Sequence, residues 1–192
     1  MKSYYIDIHT HHRRTDIVTP SQCGVHPWHA ETEDASCDLS QCDMVGEIGL
    51  DYACGVSQEA QTRMFRTQLA EAERLQKPVV LHVVRSFEDV MRILNDYTLR
   101  GVVFHGFIGS TQQAVRCFDR GYYLSFGERS LRSTKSCNVV KSMPHEWLFC
   151  ETDDKPDTPI EEIYRRVAEL RHASVEELRQ QIATNYEKLI CL

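Results

Sequence analysis

The sequence predicts an α/β fold built around a parallel, barrel-like sheet. Short apolar runs alternate along the chain with longer segments of helical periodicity, which is the pattern of βαβ units. Several of the apolar runs are nearly continuous, as buried parallel strands are. Histidine or carboxylate residues lie in or just after these runs. At 192 residues, with 42% hydrophobic and 26% charged side chains, we expect a single globular domain over residues 1–192.

Six segments are predicted strands, because apolar, β-branched and aromatic residues dominate them. They cover residues 3–9, 44–50, 79–82, 102–105, 122–125 and 147–151, and residues 22–25 are a weaker candidate. Helices are predicted between and after them, each beginning at a residue whose side chain caps free backbone N–H groups. The predicted caps are Ser57, Ser86, Ser110 with Gln113, Thr158 with Pro159 and Glu161, and Ser174 with Glu177.

The charge balance limits how the protein can contact nucleic acid. The formal net charge is −6 and the pI is about 5.8. This argues against a protein that coats nucleic acid through a broad basic face, since phosphate neutralisation supplies most non-specific affinity. It does not argue against a nuclease, because a metal site and a few local arginines suffice to hold one phosphate.

The cysteines and the chain's apolar runs indicate an intracellular environment. Eight cysteines are scattered without a CxxC pair, so free thiols are predicted rather than disulfides. The first residues lack the apolar core of a signal peptide, and no apolar run has the length needed to cross a bilayer. We therefore expect a cytoplasmic protein without a membrane partner.

Ligand-type residues concentrate where strands end. His9 and His11 lie two apart on the first strand, so their imidazoles point to the same face. Because functional groups gather at the carboxyl ends of parallel strands, these side chains are expected to converge. Mixed imidazole and carboxylate ligands suit zinc, manganese or iron, and a bridging Glu47 would allow two ions. The predicted ligands are His9, His11, Glu47, His82, His105 and Asp153.

A family resemblance rests on these residues and their surroundings. The chain holds Asp7-Ile8-His9-Thr10-His11, Gly24-Val25-His26-Pro27, Gly46-Glu47-Ile48-Gly49-Leu50-Asp51-Tyr52, Pro78-Val79-Val80-Leu81-His82, His105-Gly106-Phe107, Glu151-Thr152-Asp153 and Asn185-Tyr186. This order resembles that of TatD-type deoxyribonucleases over nearly the whole chain. The resemblance implies an amidohydrolase-like TIM barrel and DNA hydrolysis, often from the 3′ end. It implies the same six ligands, and a contact of His26 with the scissile phosphate.

Two departures from the family pattern affect the substrate more than the metal site. Members usually carry an arginine two residues after the third-strand histidine, where this chain has Val84; Arg85 follows it and is the candidate replacement. Only a short segment separates His11 from Gly24, where typical members have a helix and a strand. The resemblance therefore implies a compact variant that lacks about one β/α unit near the N-terminus, with an incomplete barrel and a more open cleft.

The predicted reaction is metal-assisted hydrolysis of a phosphodiester, in DNA ends or single strands or in another phosphodiester substrate. One or two ions of zinc, manganese or magnesium would activate water and polarise the phosphoryl oxygens. Asp153, with Glu151 as a possible partner, is the candidate for orienting or deprotonating that water, and Glu47 is the second catalytic carboxylate. His26 and Arg85 would neutralise charge on the non-bridging oxygens. Trp28, beside His26, is a candidate for stacking on bases.

Two other functions fit the same residues. The ligand set could hydrolyse an amide, a lactone or a small phosphoester, but related enzymes bridge their ions with a carboxylated lysine, and no lysine ends a strand here. A non-catalytic, metal-stabilised binding domain is the third hypothesis. Structural zinc sites are usually closed four-ligand sets rich in cysteine. Six candidate ligands without a cysteine favour an open, catalytic site.

Overall fold

The computed structural model describes residues 4–34, 38–155 and 157–191, and its contacts fall into two compact units. One unit comprises Ser21–Phe104, and the other comprises Met1–Pro20 together with His105–Leu192. The prediction of one domain stays a prediction. Ser3, where the first predicted strand begins, and Cys37 lie outside the described residues.

The Ser21–Phe104 unit is built on four parallel strands in sequential order. They are β1 (Gln22–Cys23), β2 (Met44–Asp51), β3 (Val79–Val84) and β4 (Val102–Phe104). Helices α1 (Gln58–Arg74) and α2 (Phe87–Ile93) follow β2 and β3. The weak candidate at residues 22–25 is thus a two-residue strand, and β3 runs two residues beyond the expected end at His82.

Helix α1 forms as its periodicity predicts. The Ser57 side chain accepts a hydrogen bond from the Ala60 N–H at 3.4 Å, and Phe65, Leu69 and Ala72 lie buried along one face. Ser86 precedes α2 but does not cap it with its side chain. Its hydroxyl instead donates to the Leu50 carbonyl at 2.6 Å, which ties the start of α2 to β2. The cap predicted at Ser86 is wrong in this respect.

In its described residues, the second unit contains the parallel pair β5 (Tyr123–Phe126) and β6 (Leu148–Cys150) and four α-helices. The helices are α3 (Thr111–Phe118), α4 (Thr134–Ser142), α5 (Ile160–Arg171) and α6 (Val175–Cys191). Every residue of both strands is buried. Helix α4 was not predicted, although Ser133 caps it by accepting from the Ser136 N–H and Val139 and Val140 are buried.

The histidine-bearing segment at the start of this unit is extended but is not a regular strand. It forms isolated parallel bridges, Ile6 with Val18 and Thr10 with Asp153. The hydroxyl of Tyr164 on α5 accepts from the Ile6 N–H at 3.1 Å and donates to the Ile6 carbonyl at 2.9 Å. A side chain therefore satisfies both backbone hydrogen-bonding groups of Ile6.

In this unit, two of the capping predictions are confirmed and a third is wrong. Ser110 and Gln113 form a reciprocal capping box before α3. Ser174 and Glu177 do the same before α6, where the Glu177 N–H donates to Ser174 Oγ at 3.1 Å. The cap predicted at Thr158 is wrong: Pro159 precedes α5, and the Thr158 hydroxyl donates to Glu128 Oε2 at 3.1 Å instead.

The structure also bears on the predictions about free cysteines and membrane-spanning segments. Cys23, Cys42, Cys54, Cys117, Cys137 and Cys150 are free thiols, as expected; the side chain of Cys191 is not among those described. Burial raises the pKa of the Cys117 thiol to about 12. In the described part of the chain, no helix is both long and apolar enough to span a membrane.

Asn185 on α6 supports the start of β6, and its replacement should destabilise the fold. Its buried amide donates to the carbonyls of His145 and Leu148, each at 2.9 Å. We expect Asn185→Ala to lower the free energy of unfolding by about 1–3 kcal/mol, because the buried Leu148 carbonyl loses its donor. Urea unfolding measures this, with exposed Glu187→Ala on the same helix as the control. Equal stability of the two variants would contradict the role of Asn185.

Candidate functional site

The Ser21–Phe104 unit holds a first donor group, which comprises His26, Glu47 and His82. Each offers one ligand-type atom, and these atoms all lie within 4.8 Å of one another. His82 Nδ1 is 2.7 Å from Glu47 Oε1, and His26 Nε2 is 3.5 Å from the same oxygen. The rings of His26 and His82 meet edge to face with centroids 4.4 Å apart. Two imidazoles thus share one carboxylate.

Asp51, at the end of β2, connects this group to Trp28. Its Oδ2 lies 3.1 Å from His82 Nε2 and accepts from the indole N–H of Trp28 at 2.7 Å. Its Oδ1 accepts from the Ala53 N–H at 2.8 Å. Although burial opposes ionisation, the hydrogen bonds from Trp28, Ala53 and His82 prevail, and the pKa of Asp51 lies below its usual value. An ionised Asp51 holds both rings in place.

Close packing of β2 against β3 sets the positions of these side chains. Gly49 pairs with His82 in the parallel register. A Cβ atom at residue 49 would lie 2.0 Å from the His82 carbonyl oxygen, and the Gly49 φ of +146° is one that residues with a side chain rarely adopt. The absence of a side chain at residue 49 therefore lets the strand that carries Glu47 and Asp51 approach the strand that carries His82.

The other unit holds a second donor group, which comprises His9, His105 and Asp153. Their ligand-type atoms also lie within 4.8 Å of one another. His9 Nε2 is 3.6 Å from Asp153 Oδ1, and the rings of His9 and His105 have centroids 4.5 Å apart. His11 adds an imidazole to the same carboxylate oxygen, at 3.7 Å. His9 is buried, whereas His11 is mostly exposed.

Backbone hydrogen bonds align the histidine segment with Asp153. The Asp153 N–H donates to the His9 carbonyl, and the His11 N–H donates to the Asp153 carbonyl, each at 3.0 Å. Asp153 adopts a left-handed conformation with φ of +55°. Asp7 accepts from the N–H and the hydroxyl of Thr152, at 3.0 and 2.6 Å, and burial raises the pKa of Asp7 to about 7. The hydrogen bonds between Asp7 and Thr152 therefore stabilise the turn that contains Asp153.

Glu151 contacts His105 rather than pairing with Asp153 in any contact recorded for the described residues. Its Oε1 is 3.5 Å from His105 Nδ1, and its Oε2 accepts a hydrogen bond from the Ser125 hydroxyl. Glu151 and Ser125 are both buried. A carboxylate behind an imidazole fixes the orientation of a ligand histidine.

Arg85 belongs to neither of the donor groups, and no contact between it and them is recorded for the described residues. It is exposed, lies one residue after β3 and has a φ of +54°. Val84, where the family arginine was expected, ends β3. The six predicted ligands and His26 fall within the two groups or, for His11, next to one; the roles of all these residues stay predictions.

Both donor groups have the chemistry of divalent-metal ligands. Each combines two imidazoles with one carboxylate, a set suited to zinc, manganese or iron. Buried or half-buried carboxylates beside them orient the rings, as outer partners of metal ligands do. The residues present therefore fit a divalent ion in each group.

Two residues beside the donor groups were not predicted from the sequence. They are Asp51, which contacts His82, and Ser125, which contacts Glu151. Asp51 had a usable signal, because it lies four residues after Glu47 and so shares its strand face. Ser125 had none, since a serine in a buried strand is common and its partner Glu151 lies far along the chain.

Parallel β/α units that carry imidazole and carboxylate groups at or near the strand ends are typical of the class of metal-binding, TIM-barrel-like folds. Within this class, the family model described as "TatD related DNase" matches residues 6–190. The chain belongs to this family, and its fold is TIM-barrel-like, as predicted.

Curated relatives and a solved structure agree with the family model. The metal-dependent hydrolase YabD of Bacillus subtilis is 31% identical over 76% of this chain and 64% of its own length. The 3′-5′ ssDNA/RNA exonuclease TatD of Citrobacter koseri is 36% identical over 69% of this chain and 56% of its own. The crystal structure of YjjV, a TatD homologue from Escherichia coli K12, superposes with a TM-score of 0.80 at 27% identity, covering 94% of this chain and 79% of that one.

The chain spans less than two thirds of the length of these curated relatives. In the described residues, the segment from His11 to Gly24 contains no helix, in agreement with the compact variant predicted there.

Proposed function

We propose that this protein is a divalent-metal-dependent phosphodiester hydrolase that degrades single-stranded DNA from its 3′ end. The observation that carries the proposal is the pair of imidazole–carboxylate donor groups, each containing residues from the family's motifs. The relatives named as metal-dependent hydrolase and as ssDNA/RNA exonuclease support the choice of substrate. The number of ions is proposed as one per donor group, with manganese, zinc or magnesium as the metal.

Glu47 and His82 would hold one ion, and His9, His11, His105 and Asp153 would hold the other. A bound divalent ion lowers the pKa of a nearby water and polarises phosphoryl oxygens. Asp153 is assigned to orient the attacking water and accept its proton, because its carboxylate is the least buried acid of the two donor groups, with 23% of the side chain exposed. Glu47 orients His26 and His82 through the oxygen that both contact.

His26 and Arg85 are assigned to the phosphate. His26 Nδ1 accepts from the Trp28 N–H at 3.2 Å, so Nε2 carries the ring proton and is the atom that would donate to a phosphate oxygen. Arg85 is exposed beyond the end of β3 and offers a guanidinium to a phosphate oxygen. A donor that reaches a non-bridging oxygen would stabilise the charge that develops there.

The test is hydrolysis of single-stranded DNA labelled at either end, with magnesium, manganese or zinc. We expect stepwise shortening from the 3′ end that EDTA abolishes and that a Glu47→Gln variant, purified in the same way, lacks. Exposed Glu59→Gln is the matched control and should keep full activity. Intact DNA with cleavage of bis-p-nitrophenyl phosphate would overturn the DNA substrate but keep the phosphodiesterase. No cleavage of either substrate with any metal would overturn the catalytic proposal.

A further inference from the structure

Trp28 exposes an unusually large apolar surface for a residue beside a polar group. It lies in a short 3-10 helix, Pro27–His29, and 55% of its surface is exposed. A role in the hydrophobic core therefore does not explain why a tryptophan lies here. The other tryptophan of the sequence, Trp147, is less exposed and packs against Tyr123 with ring centroids 5.2 Å apart.

The orientation of the Trp28 ring is nevertheless fixed. Its indole N–H donates to Asp51 Oδ2 at 2.7 Å, and its backbone N–H donates to His26 Nδ1 at 3.2 Å. Asp51 is itself buried and held by the Ala53 N–H. A ring held this way loses little conformational freedom when a ligand covers it. Its one polar atom is already engaged, so its remaining surface offers stacking and no hydrogen bond.

The ring borders the first donor group. It meets the His26 ring edge to face with centroids 4.7 Å apart, and its centroid is 6.1 Å from that of His82. A phosphate held at this group would therefore have its own or an adjoining nucleotide within reach of the indole.

We propose that Trp28, held by Asp51, is a stacking platform for an unpaired nucleobase of the substrate; this deepens the proposed function and rests on it. Aromatic side chains bind single strands in this way with little sequence preference, because every base has a π-face. The net charge of −6 supports the assignment, since affinity for a strand cannot come from a broad basic face and needs another source. Stacking at Trp28 supplies it.

The kinetic test compares Trp28→Leu and Trp28→Phe with wild type. The substrates are one oligothymidylate and the same strand with abasic residues at its 3′ end. We expect Trp28→Leu to raise KM for the thymine-bearing strand about tenfold, the scale of one base–aromatic stack, with kcat nearly unchanged. KM for the abasic strand should be the same in both proteins. Trp28→Phe should keep most of the affinity, and Val115→Ala, another exposed apolar residue, should keep all of it.

A fluorescence test does not depend on turnover. In a Trp147→Phe, Asp153→Asn protein, Trp28 is the only tryptophan, and a base stacked on it should quench its emission. We expect saturable quenching by oligothymidylate with manganese present, and none by the fully abasic strand.

The two experiments separate the failure of the platform from the failure of the proposed function. If wild type cleaves DNA but Trp28→Leu has an unchanged KM and no quenching occurs, the platform is wrong and the nuclease stands. If wild type cleaves no nucleic acid but thymine-dependent quenching persists, the platform stands as a base-binding site and the nuclease is wrong. If neither cleavage nor quenching is found, both proposals fall.

Discussion

Asp153→Asn should reduce phosphodiester hydrolysis by at least about a hundredfold, since even the outer partners of metal ligands cost up to that factor when they are replaced. The substitution removes the negative charge that His9 and His11 both approach and leaves a side chain of the same size. An amide is a poor metal ligand and cannot accept a proton from water. Initial rates and metal affinity, measured by titration calorimetry, should fall together.

The backbone conformation at Asp153 allows the Asp153→Asn substitution without added strain. Its φ of +55° is a conformation that asparagine adopts as readily as aspartate, whereas alanine does not. We therefore expect the metal-free Asp153→Asn protein to unfold at the wild-type urea concentration. Asp154→Asn is the matched control, because Asp154 is half-exposed and contacts only Arg129 and Lys155 among the ion pairs recorded for the described residues. Full activity in Asp153→Asn would remove Asp153 from the mechanism.

Gly49→Ala should cost more stability than any other single-methyl change proposed for this chain, at least about 3 kcal/mol. The new Cβ would lie 2.0 Å from the His82 carbonyl oxygen, which is part of the β3 backbone and cannot move aside as a flexible side chain could. The φ of +146° adds strain to the collision. Relief requires β2 and β3 to separate, so His82 should also lose its contact with Glu47.

Urea unfolding of metal-free protein measures this effect. Gly55→Ala is the control, because nothing lies within 4 Å of a Cβ built at Gly55. That variant should match wild type within about 0.5 kcal/mol. If Gly49→Ala were as stable as Gly55→Ala, the close approach of β2 and β3 at His82 would be wrong.

Local chemistry explains which elements the sequence predicts correctly. Strands β2 to β6 and helix α1 are predictable from apolar runs and helical spacing. Whether an element buries one face or both determines where its apolar residues lie in the sequence. Capping boxes at Ser110 and Ser174 depend only on residues three apart, so they too are predictable. Thr158 and Ser86 have the same local signal but bond to Glu128 and Leu50, which are distant in sequence. Tertiary partners compete with caps, and sequence spacing alone does not reveal them.

The same distinction applies to the candidate site. The donor residues are predictable because strand order brings the carboxyl ends of parallel strands to one edge of a sheet. The residues that orient these donors are harder to predict. Asp51 accepts a hydrogen bond from Trp28, and Glu151 faces His105 rather than the expected Asp153. Which carboxylate turns toward which ring depends on side-chain rotamers, and strand periodicity gives only the face.

The hold of Tyr164 on Ile6 has a consequence for the order of events during synthesis. The segment with His9 and His11 is synthesised well before Tyr164, which lies 158 residues after Ile6, yet Tyr164 secures its backbone together with hydrogen bonds to Cys150 and Asp153. A nascent chain that ends before α5 therefore lacks the hydroxyl that holds both backbone groups of Ile6. The histidine segment is expected to reach its final hydrogen bonding only after α5 has been synthesised.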